Sequence, residues 1–95
     1  MSSSLSTKTE KYEGMLADAL AVASVAPRAE SPLAGVATEH LEMAEGYLAD
    51  GRHFAQSGDL PNALAAYAYG HGWLDAAVRT GLLDVPHDTG LFAIE

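Results

Sequence analysis

The feature that most constrains this chain is the stretch from residue 60 to residue 83, in which Asp75 and Arg79 are the only charged side chains. Residues at spacings of three and four along it are Leu64, Tyr67, His71, Leu74 and Val78. This spacing predicts an α-helix, and a helix that is apolar on nearly every side lies at the centre of a fold or forms half of an interface. A chain of 95 residues without cysteine forms one small domain with no disulfide bond.

Helical spacing accounts for most of the remaining chain. It predicts three helices, at about 8–26, 32–57 and 60–81, followed by a C-terminal tail at 84–95, and no segment is predicted to be a strand. Three helices joined by short links form an antiparallel bundle. The predicted fold class is therefore all-α, a compact three-helix antiparallel (up-down) bundle that occupies residues 1–95 as a single domain.

Capping residues and prolines predict where the first two helices begin and end. Thr7 and Glu10 fit a capping box at the start of the first helix, and Pro27 ends that helix near residue 26. The second helix has two candidate starts, at Pro32 and at Thr38, and the sequence does not decide between them.

The third helix carries its own boundary signals and two internal glycines. Asp59 is a good N-cap, and Gly81 stands where a C-cap glycine is common. Gly70 and Gly72 each cost about 1 kcal/mol relative to alanine inside a helix. Close approach of another backbone is the usual reason for such a glycine. We expect a neighbouring helix here, with a partner chain or a small ligand as alternatives.

No catalytic signature is present: the sequence has no glycine-rich phosphate loop, no HExxH and no nucleophile elbow. The candidate ligand or interface residues lie instead on the second and third helices. They are Tyr47, Asp50, Phe54, Tyr69, His71, Trp73 and Asp75. Trp73 is a candidate interface anchor. Tyr67 and Tyr69 lie on different faces of the helix, so at most one of them belongs to the core.

His71 is the candidate with the most specific setting, because it lies on the apolar stripe of the third helix. The tight turn between the second and third helices places it level with Tyr47, so we expect a core histidine bonded to Tyr47 or to a backbone carbonyl. Asp75, one turn later, is an alternative partner for the ring. His53 is offset from His71 by about 9 Å along the bundle at 1.5 Å per residue, so no metal site shared by these two histidines is predicted.

The charge balance excludes two classes of partner. The chain has 13 acidic and 5 basic residues, a net charge of -8, which argues against binding to nucleic acid or to an anionic membrane surface. Acidic residues crowd the first two helices, and such a surface favours high salt, where charges are screened. We therefore expect a protein of a halophile. Because the start of the chain has no apolar signal region, we expect it to be cytoplasmic.

Three short segments between Leu41 and Leu83 resemble the archaeal family called domain of unknown function 357. The first, A-x-x-Y-x-x-D-x-x-x-F, consists of Ala44, Tyr47, Asp50 and Phe54. The second, G-D-x-x-x-A, consists of Gly58, Asp59 and Ala63, and the third, Y-x-x-G-x-L-D-A, of Tyr69, Gly72, Leu74, Asp75 and Ala76. Gly70 departs from the pattern. The resemblance implies a short, all-helical archaeal protein and supplies no catalytic residue, because the family's function is unassigned.

Two functions from different classes are consistent with these features. The favoured one is a non-enzymatic interaction module without cofactor, which forms a homo-oligomer, most simply a homodimer, or binds a protein partner through an apolar helical face containing Trp73. The alternative is a small-ligand or metal-assisted activity centred on Tyr47, Asp50, His71 and Asp75.

Overall fold

A computed structural model describes residues 2–92 of the chain. Three helices form the fold, and α3 packs most extensively against α2 and also against α1. The elements in chain order are α1 (Ser2–Val22), β1 (Ser24–Val25), α2 (Pro32–Gln56), α3 (Leu60–Arg79) and β2 (Leu83–Asp84). This arrangement confirms the prediction of an all-α three-helix bundle. None of the described helices combines the length and the hydropathy needed to cross a bilayer.

α1 begins earlier than the sequence predicts. Thr7 and Glu10 lie inside the helix, which starts at Ser2, so the prediction of a capping box at these two residues is wrong. The serines that precede Thr7 extend the helix by more than a turn, and the hydroxyl of Thr9 donates to the carbonyl of Leu5 at 2.7 Å. A threonine that bonds the preceding turn in this way is compatible with a helix interior.

α1 also ends earlier than predicted, at Val22, because Ser24 and Val25 pair with Leu83 and Asp84. β1 and β2 form an antiparallel pair in which Ser24 faces Asp84 and Val25 faces Leu83. The prediction that the chain contains no strand is therefore wrong for these residues. A strand of two residues is too short to show the alternation of apolar and polar side chains on which that prediction depends.

The starts of α2 and α3 follow the sequence signals. Ser31 is the N-cap of α2, and its side chain accepts from the backbone N–H of Leu33 at 3.2 Å. This result selects Pro32 over Thr38 as the start, and the Thr38 hydroxyl donates to a carbonyl within the helix. Asp59 caps α3 by accepting from the backbone N–H of Asn62 at 3.3 Å. Gly81, with a φ of +80°, follows its C-terminal end as predicted.

Glycines bring the three helices close together at two levels of the core. Gly51 of α2 lies against the ring of Tyr67, where any Cβ would collide with that ring. At Gly70, a Cβ would lie 2.8 Å from Leu16 Cδ2 and 3.0 Å from Tyr47 Cβ. The predicted close approach of a neighbouring helix at Gly70 is therefore confirmed, whereas Gly72 faces open space. Tyr67, Leu16 and Leu74 are the largest fully buried side chains of the described core.

Candidate interaction face and the His71 hollow

One side of α3 is exposed and almost entirely apolar. The exposed residues of α3 recur at spacings that place them in a single stripe. Together with His40 of α2, they line a hollow of about 690 Å³. The α3 residues are Ala65, Ala68, Tyr69, Gly72, Trp73 and Ala76. None of the residues described as lining this hollow is an aspartate, glutamate, lysine or arginine. Tyr69 is 66% exposed, and Trp73 is half-buried against the core.

α2 extends this apolar surface. Of the five large hydrophobic residues exposed among those described, Leu33, Val36 and Met43 lie on α2 and Tyr69 lies on α3. Together with His40 and Tyr47, the α2 residues follow the alternating spacing of three and four that marks one side of a helix. We call this combined surface the α2/α3 face: Leu33, Val36, His40, Met43 and Tyr47 of α2 with the α3 residues that line the hollow.

Two ring contacts join the two halves of the α2/α3 face. His40 meets Trp73 edge to face, with ring centroids 5.1 Å apart and an interplanar angle of 71°. Tyr47 meets Tyr69 with centroids 5.8 Å apart at 31°. Both geometries are favourable for aromatic pairs. The two stripes therefore form one continuous surface.

His71 lies in a second hollow, of about 360 Å³, between α1, α3 and the C-terminal tail. Its Nδ1 lies 3.1 Å from the Oδ2 atom of Asp75, and its ring packs against Phe92 with centroids 6.0 Å apart. Its Nε2 atom is buried and has no hydrogen-bond partner among the described residues. The prediction that Tyr47 or a backbone carbonyl satisfies this ring is therefore wrong, and the alternative partner, Asp75, holds it.

The comparisons with known proteins place the chain in a family. Residues 11–83 match the sequence profile of the family described as "Protein of unknown function (DUF357)". The chain belongs to the DUF357 family. The match takes in the second half of α1 and all of α2 and α3, so it reaches further towards the N-terminus than the resemblance seen from Leu41 onwards. No curated protein and no solved structure matches the chain.

In this DUF357 chain, the residues proposed for a single ligand site are divided between two places. Tyr47 and Asp50 line a small hollow on the surface of α2 together with Met43, whereas His71 and Asp75 line the hollow beside the tail. Although the turn predicts that Tyr47 and His71 lie level with each other, the four side chains of the predicted site line two different hollows.

The remaining predicted site residue, Phe54, lies on α2 beside His53. Phe54 is half-buried and packs against the core, while Asp50 and His53 are exposed. Among the described residues, no group of three or more histidine, aspartate or glutamate side chains is placed to hold a metal ion. Because Phe54 packs against the core and lines neither hollow, it contributes to the stability of the fold.

The sequence does not predict several residues of the α2/α3 face and of the hollow beside the tail. Leu33, Val36 and Met43 were not singled out, although their spacing of three and four with His40 is a visible signal of a second apolar stripe on α2. Phe92 belongs to the predicted C-terminal tail at 84–95, for which the sequence predicts no specific contact. Its contact with His71 follows from a bend in the tail, where Gly90 has a φ of +74°, and no local pattern predicts the target of such a bend.

Charged side chains of α1 and α2 change the pKa of the buried Tyr67. Arg52 donates from Nε to the Oε2 atom of Glu13 at 2.7 Å. Burial raises the pKa of Tyr67 above its usual value of 10.0, and the negative charge of Glu13 raises this pKa further, whereas Arg52 lowers it. The raised pKa belongs to a core residue and not to either candidate site.

Proposed function

We propose that this DUF357 chain is a non-enzymatic interaction module that forms a homodimer through the α2/α3 face. The observation that carries the proposal is the continuity of this mainly apolar surface across two neighbouring helices, with Glu42 and Asp50 at its α2 edge. Four of the five large hydrophobic residues exposed in the described part of the chain lie on it. Concentration of exposed apolar residues in one patch is typical of an interaction surface, whereas isolated ones are ordinary.

A second copy of the chain is the partner that this surface suits best. Two adjacent helices with stripes spaced by three and four, when paired about a two-fold axis, form a four-helix arrangement of the kind found in bundles. The same patch then covers itself, and Tyr69 and Trp73 supply the large aromatic side chains that anchor interfaces. Because no aspartate, glutamate, lysine or arginine lines the hollow, two negatively charged chains bring no carboxylates together there.

The acidic surface outside the face sets the conditions for this association. With a net charge of -8 on each copy, two chains repel each other at long range, and salt reduces this repulsion. We extend the proposal to a salt-rich cytoplasm, in which both the fold and the dimer are favoured. This setting agrees with the archaeal, halophilic character that the composition and the family resemblance suggest.

Sedimentation equilibrium on a matched pair of variants tests the homodimer. Tyr69→Lys places a charge in the centre of the α2/α3 face, while Val22→Lys makes the same change of charge at an exposed hydrophobic residue of α1 outside it. The wild type and Val22→Lys are expected to be dimers in molar KCl, and Tyr69→Lys a folded monomer. A wild type that is monomeric in both dilute and molar salt contradicts the homodimer and leaves the face to a different protein.

A further inference from the structure

The second hollow of the fold contains a buried polar atom that has no hydrogen-bond partner in the described part of the chain. This His71 hollow lies between α1, α3 and the tail, and its walls include Tyr12, Met15, His71, Asp75, Leu91 and Phe92. Apart from His71 and Asp75, these side chains offer mainly apolar surface. The hollow shares Ala68 and Gly72 with the α2/α3 face, whereas His71, Asp75 and Phe92 lie outside that face.

The contact with Asp75 decides which ring nitrogen of His71 is free. An ionised carboxylate only accepts hydrogen bonds, so in the neutral ring the proton lies on Nδ1, which donates to Asp75 Oδ2 at 3.1 Å. Nε2 then carries the lone pair and is a hydrogen-bond acceptor. It is this acceptor that is buried without a partner among the described residues, and buried polar atoms are satisfied in the great majority of cases.

We propose that the His71 hollow binds a small, mainly apolar molecule that carries one hydrogen-bond donor, and that this donor bonds to His71 Nε2. Phe92 packs against the imidazole ring and is 5% exposed, so binding requires this ring to move aside. Phe92 follows Gly90, whose φ is +74°, and a change of the backbone there is the proposed route of that movement. Asp75 acts as the positioning residue that keeps the acceptor facing the molecule.

The volume and the walls of the hollow define the class of ligand. About 360 Å³ holds a molecule with one aromatic ring or a short aliphatic body. Gly72 also lines the hollow, and a Cβ at this position would have no neighbour within 4 Å, so space remains next to its backbone. A single donor on the molecule supplies the partner that Nε2 lacks.

Phenol and toluene provide the direct test, because they have nearly the same shape and only phenol carries a donor. Titration of isotopically labelled wild-type protein with each compound is followed by NMR at about pH 8, above the usual pKa of a histidine side chain. Phenol is expected to shift the His71 and Phe92 ring signals saturably and to bind about tenfold more tightly than toluene, as one hydrogen bond to a buried acceptor allows. The Nε2 nitrogen shift is expected to move with phenol only.

Two histidine variants assign the preference to the correct ring. His71→Phe keeps a ring of similar shape and removes the acceptor, so phenol and toluene are expected to bind it equally. His53→Phe changes an exposed histidine of α2 and is expected to keep the preference for phenol. Equal binding of the two compounds by the wild type, or a preference retained by His71→Phe, overturns the proposal. The wild-type comparison is decisive by itself if His71→Phe does not fold.

Discussion

The ring of Tyr67 fills the space that a side chain at Gly51 would occupy, so α2 and α3 are in contact at this level through a ring and a bare backbone. A Cβ at residue 51 would lie 2.6 Å from Cδ1 and 2.9 Å from Cζ of Tyr67. Tyr67 is only 1% exposed, so its ring cannot swing into solvent. The glycine is therefore a requirement of the packing between α2 and α3.

Gly51→Ala is accordingly expected to destabilise the fold by about 1–3 kcal/mol, the usual cost of overpacking a core. Gly46→Ala is the matched control, because Gly46 lies in the same helix and a Cβ there meets nothing within 4 Å. The control is expected to gain up to about 1 kcal/mol from helix propensity. Urea unfolding at constant salt measures both, and a Gly51→Ala variant as stable as Gly46→Ala would contradict the close contact.

The two glycines of α3 are expected to respond to alanine with opposite signs. At Gly70 a Cβ would lie 2.8 Å from Leu16 Cδ2 and 3.3 Å from the carbonyl oxygen of Ala44, so Gly70→Ala should destabilise the protein by about 1–3 kcal/mol. Gly72 has open space, so Gly72→Ala should stabilise it by about 0.5–1 kcal/mol. Unfolding midpoints of both variants check the pair, and a shift in the same direction would refute this account of α3.

Those parts of the fold that depend on local signals were predictable from the sequence. The three helices, the N-cap at Asp59 and the turn glycine at Gly81 follow from spacing and from side-chain chemistry, and each is present. The division of Tyr67 into the core and Tyr69 onto the surface also follows from helical geometry. The end of α1 was not predictable, because it depends on pairing of Val25 with a residue far along the chain.

The candidate sites show the same division between local and distant information. Trp73 and Tyr69 were identified from the apolar character of α3, and both line the α2/α3 face. His71 and Asp75 are one helical turn apart, and the sequence predicts their contact as an alternative. The cover that Phe92 places on His71 depends on the path of the tail. Local spacing contains no information on that path, so an Nε2 atom without a partner among residues 2–92 is found only in the structure.

Stability is expected to fall as the pH rises above 10, because the pKa of Tyr67 is raised in the folded state by burial and then by Glu13. Below pH 10 the phenol is protonated in both states and the stability is fully present. Between the unfolded and the folded pKa only the unfolded chain loses the proton, which favours unfolding. Tyr67→Phe should reduce this alkaline loss, whereas Tyr69→Phe, at an exposed ring, should not. Urea unfolding from pH 8 to about pH 11 measures the difference, and equal losses in both variants would exclude Tyr67 as the cause.

Salt should raise the stability of the wild type, because 13 acidic and 5 basic residues leave a charge of -8 on a small domain. The Debye length shortens from about 10 Å at 0.1 M to about 3 Å at 1 M salt, so repulsion between separated carboxylates is lost while the contacts of the core are kept. The melting temperature is therefore expected to rise between dilute and molar KCl. Tyr69→Lys, measured in parallel as a monomer, separates the two contributions: any rise that it retains belongs to the fold, and the additional rise of the wild type belongs to the dimer. An unchanged melting temperature in both proteins would show that the acidic surface imposes no requirement for salt.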